Sequence, residues 1–116
     1  MTNGEETGQR FDLSERTAVF GENVIRFVRT VKEDSVSRSL ISQLVRSSTS
    51  IGANYGEADE SGTRKEFRYR ISLCKREAKE TEHWLRMFAA ACPVEAERAR
   101  ELWKEAHELV LIFSSI

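Results

Sequence analysis

A stripe of basic side chains on the third predicted helix is the feature of this sequence best suited to bind a ligand. From Arg64 to Arg76 the chain has six bases and one acid. At about 100° per residue, five bases fall within roughly 60° of one another around the helix; these are Arg64, Arg68, Lys75, Lys79 and Arg86. Such a stripe can neutralise the phosphates of a nucleic acid. It can also be a solvated flank that pairs with acids of a neighbouring helix or subunit, and the sequence leaves both interpretations open.

The other reactive residue types do not form a recognisable catalytic or metal site. Glu80 and His83 have the spacing of a di-iron ligand pair, but such a site needs a second pair, and no glutamate stands three residues before His107. Cys74 falls on an apolar face, which indicates a small core residue, and Cys92 has no activating base nearby in sequence. We therefore expect no catalytic residue, metal, cofactor or small-molecule substrate, and no enzymatic activity.

Four segments with apolar residues at three- and four-residue steps, the spacing of amphipathic helices, must position these side chains. The clearest is the third helix, whose apolar seam repeats every seven residues and consists of Phe67, Ile71, Cys74, Ala78, Thr81, Leu85 and Phe88. The second helix is predicted over Val36–Tyr55, with connections at Lys32–Ser35, Gly56–Thr63 and Cys92–Pro93. Four such helices with short connections predict an all-α fold, an antiparallel up-down-up-down four-helix bundle.

Length and composition fit one domain of 116 residues. Residues 1–10 are polar and are predicted to be a disordered lead-in, with Asp12 or Ser14 as the first N-cap and residues 11–116 as the bundle domain. The 18 Lys and Arg nearly balance the 19 Asp and Glu, so net charge does not indicate a general nucleic-acid binder. No apolar stretch approaches the roughly 20 residues of a membrane span, and we expect a cytoplasmic protein.

A second apolar face is predicted on the third helix, away from the seam, by Tyr69, Leu73, Trp84 and Met87. We expect it to form a subunit interface, because exposed aromatic patches usually mark contact surfaces; the alternative is that another helix of the same chain covers it. Asn54, late in the second helix, is predicted to make a buried hydrogen bond that fixes helix register.

The segment from Arg46 to Phe88 resembles the signature of a bacterial four-helix-bundle family, that of proteins encoded in intervening sequences of 23S ribosomal RNA genes. The resemblance is carried by Gln43, Leu44, Arg46, Ser47, Ser50, Ile51, Ala53, Asn54 and Glu57 in the second helix region, and by Phe67, Glu77, Thr81, Glu82, Trp84 and Leu85 in the third. It makes Asn54 and Glu57 residues of a structural motif. It implies a homo-oligomer, commonly a pentameric ring, with no known enzymatic activity. The chain also resembles the related accessory protein of diversity-generating retroelements, which engages a reverse transcriptase and nucleic acid.

These observations together predict a non-enzymatic, oligomeric bundle that acts as an RNA- or nucleoprotein-associated accessory factor. Its expected partners are further copies of itself and an RNA or nucleoprotein enzyme, with no membrane. The alternative is a protein–protein scaffold that makes no nucleic-acid contact. Salt-dependent RNA binding separates the two, because neutralised phosphates release counterions.

Overall fold

The computed structural model describes the backbone from Thr2 to Ile116 and the side chains from Leu13 onward. Within this part of the chain there are four α-helices and no strand, so the all-α prediction is confirmed. The helices are α1 (Thr2–Arg29), α2 (Ser35–Asp59), α3 (Arg64–Ala91) and α4 (Ala96–Ser115), with a short 3-10 helix at Pro93–Glu95. None of the helices in residues 2–116 combines the length and the apolar character needed to cross a membrane.

Two helix starts are fixed by side chains that satisfy otherwise free backbone N–H groups. Asp34 caps α2, since its Oδ1 accepts from the N–H groups of Val36 and Ser37 at 3.0 and 2.8 Å. The hydroxyl of Ser37 accepts from the Asp34 N–H at 2.9 Å, which completes a reciprocal capping box. Thr63 caps α3, because its Oγ1 accepts from the N–H of Glu66 at 3.1 Å.

The boundaries of the first two helices differ from the prediction. α2 continues to Asp59, so Gly56–Asp59 is helical and the connection to α3 is shorter than expected. The extra turn buries Ala58, which is 2% exposed, and this burial offsets the helix penalty of Gly56, about 1 kcal/mol relative to alanine. α1 begins at Thr2 instead of next to an N-cap at Asp12 or Ser14. Met1 and the side chains of residues 2–12 lie outside the described residues, and the disordered lead-in at 1–10 stays a prediction.

The core is built around the predicted seam of α3. Ile71, Cys74, Ala78, Thr81, Leu85 and Phe88 are all buried, and Phe67 packs against them in part. Phe27 of α1 meets Phe88 edge to face, with ring centroids 5.4 Å apart. Buried residues of α1, α2 and α4 complete one cluster, so the seven-residue repeat identified the buried face correctly.

Small residues in the second half of α2 allow its neighbours to approach closely. A Cβ added at Gly52 would lie 3.4 Å from Thr17 Oγ1, and one at Gly21 would lie 3.6 Å from Thr49 Cα. On the other side, the buried hydroxyls of Ser47 and Thr81 hydrogen-bond between α2 and α3 at 2.9 Å. The weak helix propensity of this serine-rich stretch is thus compensated by close packing of α2 against both α1 and α3.

Candidate nucleic-acid interface

The five bases of the predicted stripe lie along one flank of α3. Arg64, Arg68, Lys79 and Arg86 are exposed, and Lys75 is half-buried. None of the five forms an ion pair with a side chain among residues 13–116. The stripe is therefore a row of cations whose charge is not neutralised by contact with the described part of its own chain.

Three acids of α3 lie within contact distance of basic side chains of α2 and α4. Glu77 pairs with Arg46 of α2 at 3.4 Å, and Glu80 pairs with the same guanidinium. Glu82 lies on the flank that carries the stripe, between Lys79 and Arg86 in the groove lining, and its Oε2 is 3.3 Å from Nδ1 of His107 in α4. The solvated-flank interpretation pairs the stripe with acids of a neighbouring helix or subunit. Among the described residues no neighbouring helix provides such a pair, and pairing with a subunit stays a prediction.

A groove of about 680 Å³ runs between α3 and α4 beside the C-terminal half of the stripe. Its space arises where small side chains face each other, Ala89 of α3 and Ala96 and Ala99 near the start of α4. Lys79 and Arg86 of the stripe line the α3 side. The stripe therefore ends in a concave site, which is the form that binding sites for small ligands usually take.

The α4 side of this groove adds charge and an aromatic ring that the sequence analysis missed. Arg100, Trp103 and Lys104 line it. The indole of Trp103 is stacked on the imidazole of His107, with ring centroids 4.9 Å apart and an interplanar angle of 7°. Positions 100, 103, 104 and 107 are spaced by three and four residues, so they share one helix face. That spacing is visible in the sequence and was the signal available to find them.

The predicted second apolar face is only partly exposed. Tyr69 is 58% exposed, whereas Leu73, Trp84 and Met87 are half-buried. Trp84 packs against the core, and its Nε1–H donates to Glu80 Oε2 at 3.0 Å. The guanidinium of Arg70 lies 5.7 Å from the centre of the Tyr69 ring. The face available for a contact with another molecule is therefore centred on Tyr69, whereas Trp84 is already partly used in packing within one chain.

The two cysteines lie in environments that do not favour reactive thiolates. Cys74 is buried, and burial raises the pKa of its thiol to about 12; its Sγ lies 3.7 Å from the Ile51 carbonyl oxygen, to which the thiol donates. Partial burial also raises the pKa of Cys92. Within the described residues, no group of three or more His, Cys, Asp or Glu side chains is arranged to hold a metal ion.

The sequence model of the 23S rRNA-intervening sequence protein family matches residues 9–115, nearly the whole chain. The chain belongs to this family. A crystal structure from Bacteroides thetaiotaomicron, described as a protein with unknown function from the S23 ribosomal protein family, is similar with a TM-score of 0.80. It is 24% identical, and the alignment covers 91% of this chain and 95% of that one, so it supports the fold alone. No curated protein matches the sequence.

The two residues of the structural motif, Asn54 and Glu57, form hydrogen bonds with residues four positions away in the chain. Asn54 is half-buried, and its Nδ2–H donates to the Ser50 carbonyl oxygen one turn earlier in α2, at 2.9 Å. This bond lies within one helix, in place of the buried, register-fixing bond that the sequence predicts. Glu57 is exposed near the end of α2, where its carbonyl oxygen accepts from the Ser61 hydroxyl at 3.1 Å. Both residues therefore contribute to the end of α2 and do not line the groove between α3 and α4.

Proposed function

We propose that this chain is a non-enzymatic accessory factor that binds RNA, free or within a nucleoprotein, through the basic stripe of α3. One observation carries the proposal: the stripe bases have no ion-pair partner among the described side chains, whereas Glu77 and Glu80 of the same helix pair with Arg46. The stripe bases are Arg64, Arg68, Lys75, Lys79 and Arg86. Exposed, unpaired bases attract phosphate without first breaking an internal ion pair. Its family bears the name of a ribosomal RNA element, which agrees with an RNA partner. We place its action in the cytoplasm, where such RNA is found.

The proposed form of the protein is an antiparallel up-down-up-down bundle that assembles into a homo-oligomer, with a pentamer favoured. Contacts between distant residues support the antiparallel order: Gly52 lies against Thr17 and Gly21 against Thr49, so the residue numbers rise in one helix as they fall in the other. The exposed ring of Tyr69 offers an apolar contact, and we propose that it joins Leu73, Trp84 and Met87 in the subunit interface.

Assembly matters for binding because one chain carries little charge. The net charge is −1, and a single stripe can neutralise only a few phosphates. In a ring, several copies of the stripe engage the same polyanion, and the later contacts form at high effective concentration. Binding should therefore depend on the oligomer and only weakly on the RNA sequence, since contacts with phosphates carry no direct information about the bases.

A protein–protein scaffold is the second candidate, and the near-neutral net charge together with the exposed Tyr69 favours it. In that case the stripe would pair with an acidic surface of a partner protein. Binding to such a surface would weaken less steeply with salt, because an acidic protein surface lacks the condensed counterions that a nucleic acid releases.

The test is the salt dependence of binding to a fluorescently labelled single-stranded RNA, measured by anisotropy. Affinity should fall by about 10³-fold or more between roughly 50 and 200 mM salt if several phosphates are neutralised. Reversing Arg68 and Lys75 to Glu should abolish binding. The matched control reverses Arg29 and Lys32 to Glu, which makes the same change of charge at two exposed positions outside the stripe.

In both variants, helix content and oligomer mass should match those of the wild type. Equal loss of affinity in the stripe variant and the control would mean that net charge, and not the stripe, drives binding. No affinity for RNA at low salt would give first place to the scaffold.

A further inference from the structure

The groove between α3 and α4 combines two properties that favour a bound ligand. It is concave, with a volume of about 680 Å³, and ligand pockets typically measure about 300–1,000 Å³. It is also lined by both charged and aromatic side chains. At the N-terminal half of the stripe, Arg64 lines a smaller pocket of about 370 Å³, where it is the single base beside one acid, Asp59.

The charges of the groove favour an anion. Four bases line it and one acid, Glu82. Lys79, Arg86 and Arg100 have no ion-pair partner among residues 13–116. Lys104 pairs with Glu101 at 3.3 Å on the surface, and exposed pairs of this kind are worth little, so this base is also available to a ligand.

The aromatic ring of the groove favours a flat ligand. The indole of Trp103 lines the groove, while His107, which stacks on it, lies outside the lining. The imidazole covers one face of the indole, and the indole also packs against the core and borders the groove. Proteins bind single-stranded nucleic acid by this combination, an aromatic ring on which a base stacks and basic side chains that follow the backbone.

We infer that this groove binds one unpaired nucleotide, with its base against Trp103 and its phosphate held by Lys79, Arg86 and Arg100. The inference rests on the proposed function, and it names the part of the RNA that the protein recognises: an unpaired base of a single strand. The same chemistry is present in a free nucleotide. A duplex does not offer it, since its bases are stacked on one another, although its phosphates still reach the stripe.

The experiment compares single-stranded and duplex RNA of equal length and sequence, binding to wild type and to two variants of Trp103. Trp103→Leu should weaken binding of the single strand by about 5- to 150-fold, the range that follows from losing one stacked base. Its affinity for the duplex should change less than twofold. Trp103→Phe keeps an aromatic ring and should retain most of the single-strand affinity.

A measurement on the unmodified protein covers the case in which Trp103→Leu does not fold. The chain has two tryptophans, so an NMR spectrum of the wild type shows two indole N–H signals, and Trp103→Phe identifies one of them by its loss. Adenosine monophosphate should shift the Trp103 signal saturably. Adenosine, which lacks the phosphate, should shift it only at higher concentration, and Arg100→Gln should reduce this difference.

The outcomes distinguish failure of this inference from failure of the proposed function. If Trp103→Leu binds single strands as tightly as the wild type while the Arg68 and Lys75 reversal abolishes binding, the groove assignment is wrong and the RNA-binding function stands. If no RNA binds but adenosine monophosphate shifts the Trp103 signal, the groove is a site for a free nucleotide and the proposed function is wrong. If neither RNA nor nucleotide acts on the protein, both are overturned.

Discussion

Leu85→Ala removes a large side chain from the buried face of α3, and the structure sets the expected cost. Leu85 is 1% exposed within the common core. Leucine-to-alanine changes in cores cost about 2–5 kcal/mol, and the cost rises with the volume of the cavity that remains. Leu85 also lines the groove between α3 and α4, so part of the vacated space opens to that groove. We therefore expect a loss of about 2–3 kcal/mol in the free energy of unfolding, toward the lower end of this range.

The matched control is Leu73→Ala, the same change on the same helix at a half-buried position away from the seam. Urea unfolding followed by circular dichroism measures both, at several protein concentrations, because self-association makes stability depend on concentration. The cost of Leu85→Ala should be nearly independent of concentration. Leu73→Ala should cost less than about 1 kcal/mol at low concentration, as surface changes usually do, and more once subunits associate. A loss below about 1 kcal/mol for Leu85→Ala, or equal losses for both variants, would refute the assignment of the buried face.

Three further changes test the end of α2, its N-cap and the subunit contact. Gly56→Ala should stabilise the protein by about 0.5–1 kcal/mol, because a Cβ there meets nothing within 4 Å; thermal unfolding measures it, and a lowered Tm would contradict the helical assignment of Gly56–Asp59. Hydrogen bonds from the Ser37 and Val36 backbone lower the pKa of Asp34 from its ordinary value of 3.8, so its contribution to stability is present above that pH and is lost as pH falls further. Asp34→Asn keeps a capping side chain and should make the free energy of unfolding depend less on pH below pH 4. An unchanged pH dependence would exclude Asp34 as its source. Tyr69→Ala should lower the mass found by light scattering while helix content stays constant, and a wild type that is monomeric at micromolar concentration would remove the proposed interface altogether.

Local periodicity predicted the buried face of α3, and non-local packing decided the end of α2. The seam from Phe67 to Phe88 follows from spacing alone, since one helix face must meet the core. The end of α2 does not follow from spacing alone. Gly56 and the acids after it are typical of a connection, but Ala58 finds a buried position against the other helices. Only the assembled core supplies the burial that makes this last turn favourable.

For the site, the position of the bases on one helix could likewise be predicted, whereas the contacts between helices could not. The stripe was predictable because its five bases share one flank of α3, whereas the lack of partners depends on which basic side chains the neighbouring helices bring to Glu77 and Glu82. The charged and aromatic face of α4 was open to prediction from the three- and four-residue spacing of Arg100, Trp103 and His107. The spacing alone does not show that this face of α4 lies opposite the basic flank of α3, because that depends on how the two helices pack.

The groove could not be predicted from the sequence, because it depends on how α3 and α4 are rotated about their axes, which a sequence pattern does not specify. The seam of α3 can be buried while its basic flank faces α2, α4 or solvent. In this fold Glu77 and Glu80 face α2, where they meet Arg46, and Glu82 faces α4, where it meets His107. That rotation turns the stripe toward α4 and places Lys79 and Arg86 across from Arg100 and Trp103. Basic side chains of α3 and an aromatic ring of α4 thereby line the same groove, where alanines leave space. A bundle with almost no net charge can in this way concentrate bases and a ring at one place, which is the basis of the proposed site for an anionic, planar ligand.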